Sequence, residues 1–281
     1  MRAGVVQMRS TTSIAENCTA MEEMVRAAAA NGAQYVQTPE MTGILQKSRR
    51  HLFSEIKSQD QDDLVRRASE LAAALGIWLH IGSHAIKLNE DKAANRAFLF
   101  APNGELAAYY DKIHMFDVDL DNGESWRESK VYQPGARSCM VDLGEALLGL
   151  SICYDVRFPH LYREQALAGA QILTAPAAFT RQTGKAHWHI LMKSRAIENG
   201  AFLIAAAQGG DHDDGRETFG HSLVVNPWGE IIAEIASEEP GYLTVDLDLD
   251  EVTKARRKIP NLANTRAFVL ERPSGKIEVA S

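Results

Sequence analysis

More than about ten apolar runs of strand length recur along this chain, alternating with stretches of helical periodicity and interrupted by hairpins. A single twisted sheet of that size commonly splits into two packed sheets. The expected fold is therefore α/β: two mixed sheets layered together, with helices outside. Val5 to Met8 reads as a short strand, and Ser13 with Glu16 forms a capping box opening a helix through Ala30, closed by Asn31-Gly32. AQYVQTPE is a strand that stops before Glu40, because Pro39 cannot donate to a ladder. An irregular basic stretch with Lys47, Arg49 and Arg50 follows, then a helix from Gln61 to Leu75 closed by Gly76.

IWLHIGSHAI and NRAFLFAP pair as strands, and Pro102-Asn103-Gly104 turns the second into ELAAYYDK, which ends on Lys112. The long connection after it, from 113 to 135, contains Glu128, and a connection of that length more often lines a site than merely joins elements. A second hairpin, SCMVDLG with LLGLSIC, carries the chain to Cys153. Beyond it come a helix to Gly169, the strand QILTAPA, a helix from about Lys185 to Glu198, and the strand AFLIAAAQ. The hairpin HSLVVNPWGEIIAEIA turns on Asn226 to Gly229, YLTVDLD is the last strand, and Glu251 to Lys258 is a short helix. The expectation is one domain over 1–281 with an extended tail from about residue 269.

Bulk properties agree with one large domain. At 281 residues and 45% hydrophobic composition the chain can bury about three quarters of its unfolded surface. With 37 acidic against 30 basic residues its formal charge is -7, which argues against nucleic acid as a partner. Cys18, Cys139 and Cys153 are an odd set without metal-type spacing, so a reducing compartment is expected rather than a disulfide scaffold or zinc site. No apolar stretch approaches the ~20 residues of a membrane helix. The expectation is a soluble, cytoplasmic protein with no membrane partner.

Cys153 sits where a strand hands over to a helix, so its side chain projects from the strand's carboxyl end while N–H groups of the following turn face whatever it binds. An isolated Cys in such a run would ordinarily be a buried thiol. Here Glu40 and Lys112 also stand at strand ends. A thiol near pKa 8.5 needs a base or a cation to become a useful nucleophile at neutral pH, and a carboxylate beside a lysine supplies both. Glu40 would be the base and Lys112 the cation, and Lys112 with the Tyr154 N–H would supply donors for an oxyanion.

In its ordered motifs the chain resembles the nitrilase superfamily of carbon–nitrogen hydrolases. The segments are TPE at Glu40, YYDKIHMFD at Lys112, ESK at Glu128 and GLSICYDVRFP at Cys153, with TGKAHWHILMKSRAIENG and GHSLVVNPWGEIIAE further on. The likeness spans roughly residues 3 to 268, and KIHMFDVDL, ESK, CYDVRFP and TG-AHW point to its Nit-type amidase branch. It implies a four-layer α-β-β-α sandwich and a homodimer or higher homo-oligomer formed through helices next to the nucleophile segment. It also implies Cys153 as nucleophile, Glu40 as general base, Lys112 as stabiliser of the tetrahedral intermediates, and Glu128 as the residue that positions substrate and lysine.

The implied activity is hydrolysis of the terminal amide of a small carboxylated molecule, such as 2-oxoglutaramate or deaminated glutathione, through a cysteine thioester with ammonia leaving first. No cofactor and no metal are expected. Arg157 is the expected carboxylate clamp, since its planar fork suits bidentate recognition; the alternative is an ion pair with Asp155 or Glu164. Thr183 resembles the clamp's hydroxyl partner and Phe179 a pocket wall. Thr38 stands before Pro39-Glu40 where the family usually has an apolar residue, and Arg49 or Arg50 is placed either to meet a second carboxylate or to be a solvated loop residue.

Other histidines and acids carry less. His187 and His189, two apart on a helix, point different ways and do not pair on a metal. The DHDD run from Asp211 lacks the spacing of a calcium loop. Cys18 and Cys139 are expected to be structural thiols and Trp228 a hairpin packing residue. The rival readings are an N-carbamoyl amino-acid amidohydrolase and, from another class, a noncatalytic binding protein that has kept the fold.

Overall fold

The computed structural model describes residues 1–270 apart from 121, 122 and 124, so the end of the expected tail, 271–281, lies outside the described residues. Sixteen strands and six α-helices are formed among these residues. The strands are β1 (Arg2–Gln7), β2 (Tyr35–Gln37), β3 (Trp78–Lys87), β4 (Ala93–Phe100), β5 (Leu106–Asp111), β6 (Asp117–Asp119), β7 (Ser125–Arg127), β8 (Cys139–Asp142), β9 (Leu147–Leu150), β10 (Ile172–Thr174), β11 (Phe202–Ala205), β12 (Gly209–Asp211), β13 (Glu217–Phe219), β14 (Leu223–Val225), β15 (Ile231–Glu234) and β16 (Gly241–Asp246). The helices are α1 (Ile14–Ala30), α2 (Arg49–Glu55), α3 (Asp63–Leu75), α4 (Pro159–Leu167), α5 (Arg181–Asn199) and α6 (Asp250–Lys258).

Two six-stranded sheets form, in the orders β16-β1-β2-β3-β4-β5 and β15-β14-β11-β10-β9-β8. Each has a parallel centre, β1-β2-β3 in one and β9-β10-β11 in the other, flanked by antiparallel strands. Their facing side chains mesh into one core in which Val5, Tyr35 and Leu99 share a cluster with Leu148, Leu173 and Val225. On the outer face of the first sheet, α1 and α3 bury Met21, Val25, Leu64 and Leu71 against Val6, Val36 and Leu79. On the second, Tyr162 of α4 and Trp188, Met192 and Ala196 of α5 close the core. The result is the four-layer α-β-β-α sandwich of two mixed sheets.

Local signals hold where the chain's own chemistry decides. Ser13 Oγ caps α1 by accepting from Glu16 N at 3.4 Å, but Glu16 does not return the bond; its carboxylate accepts from Thr11 Oγ1 at 3.2 Å instead. Gly76 closes α3 at φ 65, a left-handed conformation that glycine adopts without Cβ strain. There are three departures from the sequence expectation. The basic stretch is not wholly irregular: Ser48 caps α2 there, though Leu52 alone of that helix is buried, so no apolar stripe announces it. The hairpins β6–β7 and β12–β13 have strands of three residues, too short for alternation to register.

The third departure is α5, which starts at Arg181 rather than about Lys185, with Thr180 as its cap. Gly184, a helix breaker by propensity, lies inside it because a Cβ there would come within 2.3 Å of Phe219. Among the described residues no helix is long and apolar enough to cross a membrane.

The strand ends that matter meet at one edge of the sandwich. Buried glutamines stitch the two sheets together there: Gln37 Oε1 accepts from Ala206 N at 2.9 Å, and Gln208 Nε2 donates to Glu40 O at 3.0 Å and to Ser10 Oγ at 2.7 Å. Loops buried between sheets thereby keep their polar groups satisfied, and Glu40 is held where β2 leaves the first sheet.

Candidate active site

Cys153 follows β9 at the first position of a 3-10 turn, Cys153–Arg157, with φ 50. A left-handed conformation at a non-glycine residue costs about 1–3 kcal/mol and persists only where the surroundings impose it. Here they do. The Cys153 N–H donates to Pro176 O at 2.9 Å. Asp155, fully buried, accepts from Ile152 N at 2.9 Å and Tyr110 Oη at 2.7 Å, and its other oxygen accepts from His114 N at 3.0 Å. Because Tyr110 lies near the end of β5 and Lys112 directly follows that strand, Asp155 fastens the thiol-bearing turn to the segment that presents the lysine.

Around the thiol the ionisable groups form one network. Lys112, 2% exposed, donates from Nζ to Glu40 Oε1 at 2.8 Å and to both Glu128 oxygens at 3.0 and 2.9 Å. Asn95 Nδ2 bridges the two carboxylates, donating to Glu40 Oε1 at 2.9 Å and Glu128 Oε1 at 3.0 Å. The second oxygen of each carboxylate is held by a backbone N–H, Glu40 Oε2 by Ala178 at 2.9 Å and Glu128 Oε2 by Phe116 at 2.7 Å. The Cys153 thiol lies close enough to the Glu40 carboxylate for the carboxylate charge to act on it.

These contacts set the protonation states. Burial pushes the Cys153 thiol up, and the neighbouring Glu40 charge pushes it further, so it rests well above the ordinary range despite Lys112. Burial also acts to raise the Glu40 carboxyl, but the Lys112 charge and the donors around it outweigh that and hold it low. Lys112 loses stability as a cation through burial and regains more from the Glu128 and Glu40 carboxylates, so it stays charged. The resting set is a neutral thiol, a carboxylate and an ammonium. With two carboxylates already beside one lysine, a thiolate would be a third buried anion, so ionisation is favoured only when the sulfur bonds to an electrophile and its proton passes to Glu40.

A cavity of about 430 Å³ opens above this network, lined by the eight residues given catalytic or substrate-binding roles from the sequence, Glu40, Lys112, Glu128, Cys153, Tyr154, Arg157, Phe179 and Thr183. The Arg157 guanidinium stands over the Phe179 ring at 5.4 Å and donates to His187 Nδ1 at 3.2 Å. The expected alternative ion pairs are not formed: Asp155 is occupied as above, and no described carboxylate pairs with Arg157. Thr183 Oγ1 lies 2.9 Å from Thr180 Oγ1 at the start of α5. Tyr154 packs edge-on against Phe116 at 5.1 Å, and its N–H has no acceptor among the described residues.

Sequence reading missed Asn95, Asp155 and the Ala178 N–H. Asn95 had a signal, a polar residue inside an apolar strand run, whereas a backbone donor has none. Outside the cavity, His189 Nε2 and His221 Nδ1 both face Glu234 Oε1, at 2.9 and 2.8 Å, and these are the described residues that could hold a cation, their ligand atoms lying within 4.8 Å of one another. His187 turns instead to Arg157, so the two histidines diverge as their spacing implied.

Comparison with known proteins places this geometry. Residues 2–257 match the carbon–nitrogen hydrolase family. The deaminated glutathione amidase of Synechocystis sp. is 37% identical over 276 residues, covering 95% of this chain and 98% of its own. The omega-amidase of Homo sapiens is 34% identical over 266 residues, covering 95% of each. Among solved structures, an amidase from Nesterenkonia sp. AN1, in a variant with acrylamide added to its active-site cysteine, superposes with a TM-score of 0.77 at 28% identity over 92% of this chain and 98% of that one. With the matching fold and a thiol, carboxylate and ammonium gathered at the floor of one cavity, this chain belongs to the carbon–nitrogen hydrolase family of the nitrilase superfamily, as an amidase acting on carbon–nitrogen bonds other than peptide bonds.

Proposed function

We propose that the enzyme hydrolyses the amide of a small carboxylated substrate of the 2-oxoglutaramate or deaminated glutathione type, with Arg157 and Thr183 holding the carboxylate near the amide and Phe179 walling the pocket. One observation carries this reading: a guanidinium without a carboxylate partner lines the cavity that has Cys153, Glu40 and Lys112 at its floor. An exposed arginine needs no partner, but one folded over an aromatic wall beside a reactive thiol presents its fork to the ligand.

In the proposed reaction Cys153 Sγ attacks the amide carbon as its proton passes to Glu40. Lys112 and the Tyr154 N–H meet the oxyanion, a kind of donor whose loss typically costs about 10²–10³ in rate. Glu40 returns the proton to the nitrogen, the carbon–nitrogen bond breaks, and a thioester remains. Water then attacks the thioester, Glu40 takes its proton, and collapse frees the acid and returns the thiol. Glu128 keeps Lys112 in place throughout. The leaving group is ammonia from a primary amide but an amine from a substituted amide such as deaminated glutathione. The shared product to assay is therefore the 2-oxo acid.

The test is 2-oxoglutarate formation from both compounds, and ammonia release from glutamine, asparagine and an N-carbamoyl amino acid, with Cys153→Ala as the control. Turnover of a 2-oxo amide that falls by at least about 10³-fold in the variant is expected. A Cys153-dependent signal on the carbamoyl compound alone would move the assignment to the carbamoyl hydrolase. Silence on all of them would return the noncatalytic reading.

A homodimer belongs to the same proposal, supported by Ile190 and Ile197 on α5, 67% and 53% exposed, and by exposed Leu167 on the neighbouring α4. Three thiols without a disulfide support a reducing compartment, the cytoplasm, which cell fractionation would check.

A further inference from the structure

Six cationic side chains line the cavity, and their partners differ. Lys112 is held by Glu40 and Glu128, Arg49 pairs with Asp91 at 3.1 Å, and Arg127 pairs with Asp119 at 2.8 Å. Arg216 touches Asp214 through Nε at 2.9 Å, leaving its two terminal nitrogens without a described acceptor. Lys47 and Arg157 have no carboxylate partner among the described residues. Arg50, the other candidate from the basic stretch, does not line the cavity.

Lys47 is not simply a solvated residue. Its Nζ lies 5.4 Å from the centre of the Trp126 ring, and the Arg216 guanidinium lies 5.2 Å from the same ring. The three come from separate excursions of the chain: the loop before α2, the β6–β7 hairpin, and the turn leading into β13. Each cation is attracted by the negative face of the ring. Two like charges gathered on one ring nonetheless repel, and Asp214 offsets only one of them. An anion drawn to Lys47 and to the free end of Arg216 would relieve this. Trp126 would supply an apolar platform beneath its stem.

Resting on the amidase reading, we propose that Lys47, Trp126 and Arg216 form a distal anion subsite that receives a carboxylate carried on the leaving amine, remote from the one that Arg157 holds. The charge pattern fits a dianion. Among the described residues Lys47 and Arg157 stand on the wall without carboxylate partners, in a protein whose net charge is -7 and whose Arg49 and Arg127 on the same wall are paired. Substrates are selected by length and by the charge at the far end. The fold itself would accept a short monoanionic amide equally well.

The experiment compares kcat/KM for deaminated glutathione with that for its glycine methyl ester, which removes the distal charge and little else. Wild type, Lys47→Gln and Lys47→Arg are measured, with 2-oxoglutaramate as the compound lacking a leaving-group carboxylate. The expected result is an acid-over-ester preference of about tenfold or more in the wild type, lost mainly in KM in Lys47→Gln and partly restored in Lys47→Arg. An acid-to-ester ratio near one in the wild type, or a ratio that Lys47→Gln leaves unchanged, overturns the subsite while turnover of 2-oxoglutaramate keeps the amidase reading standing. Absence of Cys153-dependent turnover on every compound overturns both.

Discussion

Asn95 shows how one uncharged side chain can govern a charged site. Its amide donates to Glu40 and Glu128 together, so it sets the spacing of two carboxylates that would otherwise repel, and it lowers the cost of keeping Glu40 ionised. In the proposed scheme it acts on substrate only through the base it holds, which makes it a positioning residue. Asn95→Ala removes a donor from the charged base Glu40, an interaction worth about 1.5–3 kcal/mol, so a fall in kcat/KM of about ten- to a hundredfold is expected. The more telling readout is the pH profile. Donors hold the Glu40 carboxyl low, so losing one raises its pKa and should move the acidic limb of kcat/KM to higher pH. A variant that loses activity with its acidic limb unmoved would mean that Asn95 supports the fold and not the base. The same logic explains the neutral thiol at rest, since Glu40 can take a proton from sulfur only if it stays ionised until substrate arrives.

At the scale of single elements, α5 does two jobs on opposite faces. Its inner face buries Trp188, Met192 and Ala196 against the second sheet, while its first turn brings Thr183 to the cavity. Its outer face leaves Ile190 and Ile197 in solvent, seven residues apart and so nearly aligned along the helix. Two exposed isoleucines on one face of a helix whose other face is fully committed mark a surface that gains by being covered. Light scattering of the wild type at micromolar concentration should give a dimer mass, and Ile190→Asp with Ile197→Asp should give a monomer with an unchanged circular dichroism spectrum. A monomeric wild type would end the dimer proposal, and a variant that stays dimeric would move the interface off α5. The strained turn at Cys153 is likewise an element-scale device. Strand β9 aims the thiol at the cavity, and Asp155 keeps the turn from relaxing.

For the whole molecule, the interior between the sheets carries a pH dependence of its own. His80 is fully buried, with Nδ1 accepting from Gln37 Nε2 at 3.2 Å and lying 2.8 Å from Tyr35 Oη. Gln37 Nε2 can only donate, so the proton of the neutral ring sits on Nε2, which has no partner among the described residues. Burial therefore pushes the His80 pKa down to about 3. Below the ordinary histidine value of 6.5 the unfolded chain binds a proton that the native state refuses until about pH 3, so this residue makes stability fall as pH falls across that window. Between pH 7 and 5 the loss is about 2 kcal/mol, and His80→Gln should lack it. Urea unfolding of both proteins at the two pH values checks this. Parallel losses would show that His80 does not contribute.

The number and order of apolar runs by themselves determined two sheets with helices outside, because burying that many strands admits few other layerings. Ser13, Gly76 and Pro39 marked element ends through local backbone chemistry, and the motifs around Glu40, Lys112, Glu128 and Cys153 named the reactive groups in order. What depends on contacts between distant parts of the chain left no such trace. Helix α2 and the three-residue hairpins are held by their surroundings, and Gly184 stays helical because Phe219, far along the chain, needs its space. Only the folded chain pairs Arg49 with Asp91 and leaves Lys47 beside Trp126 and Arg216, so only it could move the candidate for a second carboxylate from the arginines to the lysine. Charge type is written in the sequence. Which charges are already neutralised, and which remain for a ligand, is decided by the tertiary structure, because ion pairing depends on distances that adjacency along the chain does not set.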